Sequence, residues 1–436
     1  VAEKVFRDPV HGDVVLDSEL EVALMDTPEF QRLRGIKQLG TASLVYPGAV
    51  HTRFEHSLGT AWLARQMASH MGLRAGGALY AAALLHDVSH IPYGHTFEDE
   101  RHIFSRHDAP DRVRRLLTRG ALGKVLTRLG LTDEVEAILC AGVGAPEHAV
   151  QGGGPQVSLW RDMVSGTICA DLLDYLARDS YFCGLRVSYD ARIFRHFRED
   201  GRLYLEAQKN GILREDVISE IVNLLRLRYF LSERVYFHHS KTASGAMISR
   251  AVECAVNAGL TLEDLCELTD DRLMMLLAMR YSKIKAVDIL LGHFSAHRLY
   301  KRAYVLTRLV GEKRLGELVE TYHFNRQARE EAEQSLTRKL RLKEGELIIY
   351  CPAQKMQLKE ADVRVRIDSG PPRTLAELSV PEIKVLQDKH RDLWKFYVFV
   401  APTASDKLKA IGAACEAYFQ EVNHLPALQT GQLYLA

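Results

Sequence analysis

The stretch Leu84-Leu85-His86-Asp87-Val88-Ser89-His90-Ile91-Pro92-Tyr93-Gly94-His95 concentrates imidazoles around one carboxylate. His86 and Asp87 are adjacent, and His90 and His95 follow through a turn-forming Pro-Tyr-Gly segment. Such side chains are ligands for a divalent ion. The preceding Tyr80-Ala81-Ala82-Ala83-Leu84-Leu85 has the composition of a buried helix. His86 and Asp87 should therefore emerge from packed core, and a rigid support favours a well-formed site. Upstream, Arg53-Phe54-Glu55-His56-Ser57-Leu58-Gly59 opens a helix that carries His56 in its first turn. Downstream, Asp171, Tyr175 and Asp179 recur every fourth residue and share one helical face. A His-Asp dipeptide alone is more often a hydrogen-bonded pair. The order His, His-Asp, carboxylate, formed by His56, His86-Asp87 and the acidic residues of Ala170 to Asp179, is what reverses that prior. Imidazole and carboxylate donors without thiolate suit Mn, Fe, Zn, Co or Mg.

The elements that must position these residues are mostly helical. Lys4-Val5-Phe6 and Asp13-Val14-Val15-Leu16 flank a turn-like Asp8-Pro9-Val10-His11-Gly12, which predicts an N-terminal hairpin. Ser18 is a candidate N-cap, and Thr27-Pro28 opens a further helix containing Phe30 to Arg34. Leu58, Trp62, Leu63 and Met67 give the His56 helix a core-facing stripe. Gly152-Gly153-Gly154 marks a loop, and Val164 to Cys183 predicts one long helix. From about Glu346 the character changes. Leu347 to Tyr350, Val363 to Ile367 and Phe396 to Val400 have strand composition, and Lys407 to Val422 is helical. The expected fold is mainly α, with a helical core over residues 1–345, its metal site within 50–180, and a smaller α+β lobe over 346–436.

Composition sets bounds on function. Lys+Arg 57 against Asp+Glu 56 leaves a formal net charge of +1, so no global field for a polyanion such as duplex DNA exists. The seven cysteines are scattered and lack Cys-x-x-Cys spacing, which argues against a structural zinc site and fits reduced thiols in a cytoplasm. No apolar run reaches membrane-spanning length, and neither an export signal nor a membrane anchor is expected.

The motifs at His56, His86-Asp87 and Asp171 resemble those of the HD superfamily of metal-dependent phosphohydrolases. The flanking words resemble its deoxynucleoside-triphosphate triphosphohydrolase branch: Asp8-Pro9-Val10-His11-Gly12, Asp26 to Arg34, Lys37-Gln38-Leu39-Gly40, Tyr46-Pro47-Gly48-Ala49, Arg53 to Gly59 and Asp174-Tyr175-Leu176-Ala177-Arg178-Asp179. They cover the first half of the chain; the second half is similar only loosely. The resemblance implies an HD-domain helical core and hydrolysis of deoxynucleoside triphosphates to deoxynucleoside and inorganic triphosphate. It implies one divalent metal on His56, His86, Asp87 and Asp171, with additional Mg accompanying the nucleotide. His90, His95 and His107 are then the proton-transfer candidates, His95 as the acid for the leaving oxygen. Arg53 and Arg228 look like phosphate contacts, Gln38 and Asp179 like sugar contacts, Tyr175 like the ring beneath C2′, and Tyr236 and His238 like base-side contacts. Lys4, Val5, Asp26, Gln31 and Arg34 resemble a regulatory pocket for an activating guanine nucleotide, which implies a homo-oligomer, dimer or tetramer.

The chain departs from the pattern at identifiable places. Gly40-Thr41-Ala42-Ser43-Leu44 stands where relatives have a glycine triplet and aromatics, Leu172 replaces a phosphate-directed lysine, and Arg7 replaces an asparagine of the regulatory pocket. Lys241 is a basic residue that could compensate for Leu172. The same metal and arginines also fit a nucleotidase or a nuclease acting on single-stranded nucleic acid, and a non-catalytic nucleotide-binding sensor is a further reading.

Overall fold

The computed structural model describes residues 3–140, 155–354, 358–378 and 380–431. The loop expected at Gly152-Gly153-Gly154 lies outside the described residues.

The chain starts with the expected hairpin, β1 (Lys4–Asp8) antiparallel to β2 (Gly12–Leu16). Gly12 has φ +80°, a left-handed conformation that glycine adopts without a Cβ penalty. Ser18 caps α1 (Glu19–Met25) by accepting from Glu21 N–H, and Thr27 caps α2 (Pro28–Gln31), which tightens into a 3-10 turn through Gly35. A Thr52/Glu55 capping box fixes the start of α3 (Arg53–His70), so His56 enters the core in a defined first turn. Next comes α4 (Gly77–Leu85), whose Ala81, Ala82, Ala83, Leu84 and Leu85 are all buried and carry His86 at its end.

The backbone then reverses through Tyr93 and Gly94, both at positive φ, into a π-turn over Thr96–Glu100. The small helices α5 (Pro110–Thr118), α6 (Gly120–Leu129) and α7 (Thr132–Cys140) pack at one side. The single helix expected from Val164 to Cys183 is instead two, α8 (Pro155–Ser165) and α9 (Ala170–Phe182). Gly166 follows the first, its N–H donating to the Asp162 carbonyl at 3.1 Å, and Cys169 Sγ caps the second by accepting from Leu172 N–H. Between α4 and α9 lies α3, in contact with both.

The second half contains β3 (Phe197–Glu199), β4 (Leu203–Glu206), the short pair β5 (Gln208–Lys209) and β6 (Ile212–Leu213), α10 (Glu215–Leu231), α11 (His239–Asn257), α12 (Leu262–Cys266), α13 (Asp270–Arg280), α14 (Lys285–Ser295), β7 (Lys301–Thr307), α15 (Glu312–Val319) and α16 (Arg326–Lys339). It ends with β8 (Leu347–Tyr350), β9 (Arg364–Arg366), β10 (Arg373–Thr374), α17 (Pro381–Arg391), β11 (Lys395–Val400), α18 (Leu408–Phe419) and α19 (Leu425–Thr430). The fold is mainly α with an α+β C-terminal part, as the sequence implies. Its two larger sheets, ordered β7-β11-β8 and β10-β9-β4-β3, draw strands from both sides of residue 345. No helix among the described residues is long and apolar enough to cross a membrane.

Candidate metal-dependent active site

Helices α3, α4 and α9 bring His56, His86, Asp87 and Asp171 together. His56 Nε2 lies 3.1 Å from His86 Nε2 and 3.1 Å from Asp171 Oδ1, and 3.8 Å from Asp87 Oδ2. His86 Nε2 is 3.7 Å from both Asp87 Oδ1 and Asp171 Oδ1. The distal nitrogens are committed elsewhere: His56 Nδ1–H donates to Asp174 Oδ2 at 2.7 Å, and His86 Nδ1–H donates to the Ala83 carbonyl at 2.9 Å. Each ring thus presents Nε2 to the same point, with its tautomer set by a partner on the far side, the arrangement that metal-ligating histidines use. Burial alone would lower the His56 pKa, but Asp171 and Asp174 raise it to about 10. These carboxylates therefore demand positive charge at this point. A divalent ion meets that demand in place of the proton on His56 Nε2, so the donor set fits such an ion. Asp171 is the most open of the four, its side chain 31% exposed against 0% for His56, 6% for Asp87 and 9% for His86. Solvent reaches the cluster from its side.

Asp87 links this cluster to a second. Its Oδ1 is 3.1 Å from His90 Nε2 and its Oδ2 accepts a short hydrogen bond from Arg53 Nη1. Burial would raise the Asp87 carboxyl, but Arg53, His86 and His90 hold it well below the usual carboxylate range. His90 is buried, stacks on His107 with ring centroids 3.7 Å apart, and meets His95 edge-on at 4.8 Å. Desolvation and neighbouring Arg53 hold its pKa well below that of an ordinary imidazole. His107 Nδ1–H donates to Glu98 Oε2 at 3.1 Å, and His95 Nδ1 lies 2.9 Å from Asp99 Oδ2. Ligand atoms of His90, His95 and His107 converge closely enough to form a further cation-capable group.

Beside α9 is a third assembly. Asp179 is buried between His51 Nε2, at 2.8 Å from Oδ1, and Tyr236, whose hydroxyl donates to Oδ2 at 2.6 Å. The Arg228 guanidinium lies over the Tyr175 ring at 5.0 Å and the Tyr236 ring at 5.2 Å. Gln38 is held through its backbone N–H on the His51 carbonyl, and its buried Oε1 has no hydrogen-bond partner. Such an atom costs free energy unless something binds it. His238 stacks on His239 and meets Tyr46 edge-on.

Lys4, Val5, Asp26, Gln31 and Arg34 form one surface. Lys4 Nζ donates to both Asp26 oxygens, Gln31 Nε2 donates to the Met25 carbonyl, and Arg34 Nε donates to Gln31 Oε1 while its guanidinium covers Phe54. Val5 is exposed and Arg7 pairs with Asp13. Leu172 is packed in the core, and Lys241 is tied to Glu100 Oε1 at 2.5 Å.

Sequence reasoning missed Asp174, Arg178, Asp8, His11, His51 and Glu98. A usable signal existed for two of them: Asp174 and Arg178 are opposite charges four apart on the helix that carries Asp171, the spacing of an ion pair on one helical face.

The HD domain family matches residues 53–179, and the HD associated region matches residues 204–422. An uncharacterized protein of Methanocaldococcus jannaschii is 32% identical over 307 residues, 68% of this chain and 59% of that one. The deoxynucleoside triphosphate triphosphohydrolase SAMHD1 of Gallus gallus is 31% identical over 284 residues, 58% of this chain and 45% of that one. The chain thus spans about half the length of the curated relatives it matches. A phosphohydrolase of Bacteroides thetaiotaomicron superposes with a TM-score of 0.66 at 23% identity, covering 91% of this chain and 100% of the other, and so shares the fold. With both the HD domain and its associated region present, the chain belongs to the HD domain family.

Proposed function

We propose that the chain hydrolyses deoxynucleoside triphosphates to deoxynucleoside and inorganic triphosphate, with a divalent ion held by His56, His86, Asp87 and Asp171. The observation that carries this reading is the pair of Nε2 atoms 3.1 Å apart, each with its Nδ1 engaged on the far side. A bound divalent ion would supply Lewis acidity toward a phosphate oxygen and lower the pKa of water. The α-phosphate is placed at this cluster. Arg53, whose buried Nε has no hydrogen-bond partner, and Arg228 are assigned to the β- and γ-phosphates, a geometry that guanidinium groups match bidentately. Water oxygen attacks the α-phosphorus, the bond from phosphorus to O5′ breaks, and His95 gives its proton to O5′. The contact of His95 Nδ1 with Asp99 leaves Nε2 for that transfer. Tyr175 is assigned to the face beneath C2′, with Asp179 and Gln38 on the 3′-hydroxyl; the unsatisfied Gln38 Oε1 supports this placement. The surface of Lys4, Val5, Asp26, Gln31 and Arg34 is assigned to an activating guanine nucleotide in a homo-oligomer.

Hydrolysis in heavy-oxygen water tests the bond assignment. Label should enter the triphosphate, with deoxynucleoside as co-product. Labelled orthophosphate with deoxynucleoside diphosphate would refute it and support stepwise removal from the γ end. That second reading is favoured by one observation: Leu172 lies in the core and Lys241 is paired with Glu100, so neither adds a cation for the triphosphate.

A further inference from the structure

Asp174, behind His56, is fully buried and its carboxylate is saturated. Oδ2 accepts from His56 Nδ1 at 2.7 Å and Arg178 Nε at 2.8 Å; Oδ1 accepts from Arg178 Nη2 at 2.9 Å and His11 Nε2 at 2.6 Å. A carboxylate offers about four lone-pair directions, so none is left and its plane has no freedom to rotate. Two of the groups that fix it belong to the N-terminal hairpin. His11 is one. Asp8 is the other, because its Oδ2 accepts from Arg178 Nη1 at 2.7 Å. The second Asp8 oxygen accepts from the backbone N–H groups of Val10 and His11, at 2.8 and 2.9 Å, and so shapes the turn that aims His11 inward. The His11 ring stacks on Trp62 of α3 with centroids 4.7 Å apart, and its side chain is only 6% exposed. Hairpin tips ordinarily face solvent. This one is inserted behind a candidate metal ligand, and pairing within β1–β2 does not require that.

We propose that the β1–β2 hairpin is a working part of the metal site. His11 is a positioning residue that acts through Asp174 to hold the ring plane and tautomer of His56, and Asp8 holds His11 and Arg178 in register. Metal binding and hairpin docking then favour each other reciprocally, since any affinity the ion gains from a docked hairpin is gained equally by the hairpin from the ion. The inference rests on the assignment of His56 as a metal ligand, and is independent of the substrate.

The test uses the full chain, stripped of metal by chelation and titrated with manganese ion by calorimetry. His11→Phe keeps a ring on Trp62 and removes the N–H that reaches Asp174. The expected result is a manganese dissociation constant raised about 10-fold or more, the range found for outer-shell partners, in a metal-free protein that still unfolds cooperatively, at a midpoint lowered by the hydrogen bond lost to buried Asp174. His11→Gln, whose side-chain N–H can reach the same carboxylate oxygen, should recover most of the affinity. Hydrogen exchange of residues 4–16 in the wild type should slow when manganese binds, a measurement that needs no variant. Unchanged manganese affinity in His11→Phe, or unchanged exchange in the wild type with the ion bound, overturns the proposal. A wild-type chain that binds no manganese overturns it together with the metal assignment, whereas tight wild-type binding with an indifferent His11→Phe overturns the hairpin's role alone.

Discussion

Replacing Gly59 by alanine should destabilise the protein, against what helix propensity predicts. Gly59 lies inside α3, where alanine is favoured over glycine by about 1 kcal/mol. Its Cβ, however, would fall 1.9 Å from Asp174 Oδ1, 2.7 Å from Asp174 Cγ and 2.5 Å from Arg178 Nη2. Neither neighbour can retreat cheaply, because Asp174 is anchored by His56, His11 and Arg178, and Arg178 by Asp8. Forcing a methyl group into packed core costs about 1–3 kcal/mol, and weakening hydrogen bonds to a buried charge adds about 1–3 kcal/mol more. After the propensity gain, a net loss of roughly 1–5 kcal/mol remains. Urea unfolding of the metal-free protein measures it. Gly292 in α14 is the control: it is exposed, and nothing lies within 4 Å of its added Cβ. Gly292→Ala should therefore stabilise by up to about 1 kcal/mol. If the two substitutions shift the unfolding midpoint alike, the packing of Gly59 against the Asp174–Arg178 pair is wrong.

Asp87→Ala should abolish tight metal binding and also destabilise the metal-free protein by about 3–5 kcal/mol, since it leaves buried Arg53 without its carboxylate. Full metal content in that variant would remove Asp87 from the ligand set. Tyr175→Ala should narrow discrimination between dATP and ATP, which shape rejection of one hydroxyl sets at ~100-fold in an otherwise compatible pocket; an unchanged ratio of kcat/KM values removes Tyr175 from the gate. Glu253→Gln should destabilise by about 3–5 kcal/mol, because it removes the buried charge that Arg101, Arg250 and Arg329 share. Burial would raise the Glu253 carboxyl, but Arg101, Arg329 and Arg250 hold it well below the usual range. Its contribution is thus complete above an unfolded-state pKa of about 4.3 and is lost as pH falls through the lower folded value. Urea midpoints measured at decreasing pH should drop more shallowly in Glu253→Gln than in wild type.

The site was readable where local sequence determines position, and hidden where only packing does. His86 and Asp87 are adjacent on the end of an all-apolar helix, so no tertiary knowledge is needed to place them together. The Thr52/Glu55 capping box likewise locates His56 in a first turn. Asp174 and His11 are 163 residues apart, and nothing in either neighbourhood announces the other. A spacing of four selects Asp171, Tyr175 and Asp179 on α9, yet Asp174 and Arg178 lie on the adjoining stripe, and it is this stripe that α3 covers, at Gly59. The break between α8 and α9 was missed for a related reason. Gly166 interrupts a run whose apolar period continues beyond it, and the stop depends on Cys169 capping the next helix.

The second half of the chain, which matches the HD associated region over residues 204–422, supports the histidine cluster through buried ion pairs. Arg101 follows the π-turn that carries Glu98 and Asp99, the carboxylates behind His107 and His95. It donates to Glu253 on α11, to Glu333 on α16 and to the Ile349 carbonyl on β8, while Ile349 N–H donates to the same Glu333 oxygen. Arg329 closes the ring, donating to Glu253 and to the Arg101 carbonyl. Arg101, Arg329, Glu253 and Glu333 are all buried, so displacing α16 or β8 would strand charge in the interior, and separating such partners costs several kcal/mol. The histidine cluster is therefore backed from 250–350, while Asp174 behind His56 is held by the N-terminal hairpin, and Asp87, whose Oδ1 lies 3.7 Å from His86 Nε2 and 3.1 Å from His90 Nε2, is where the two clusters meet.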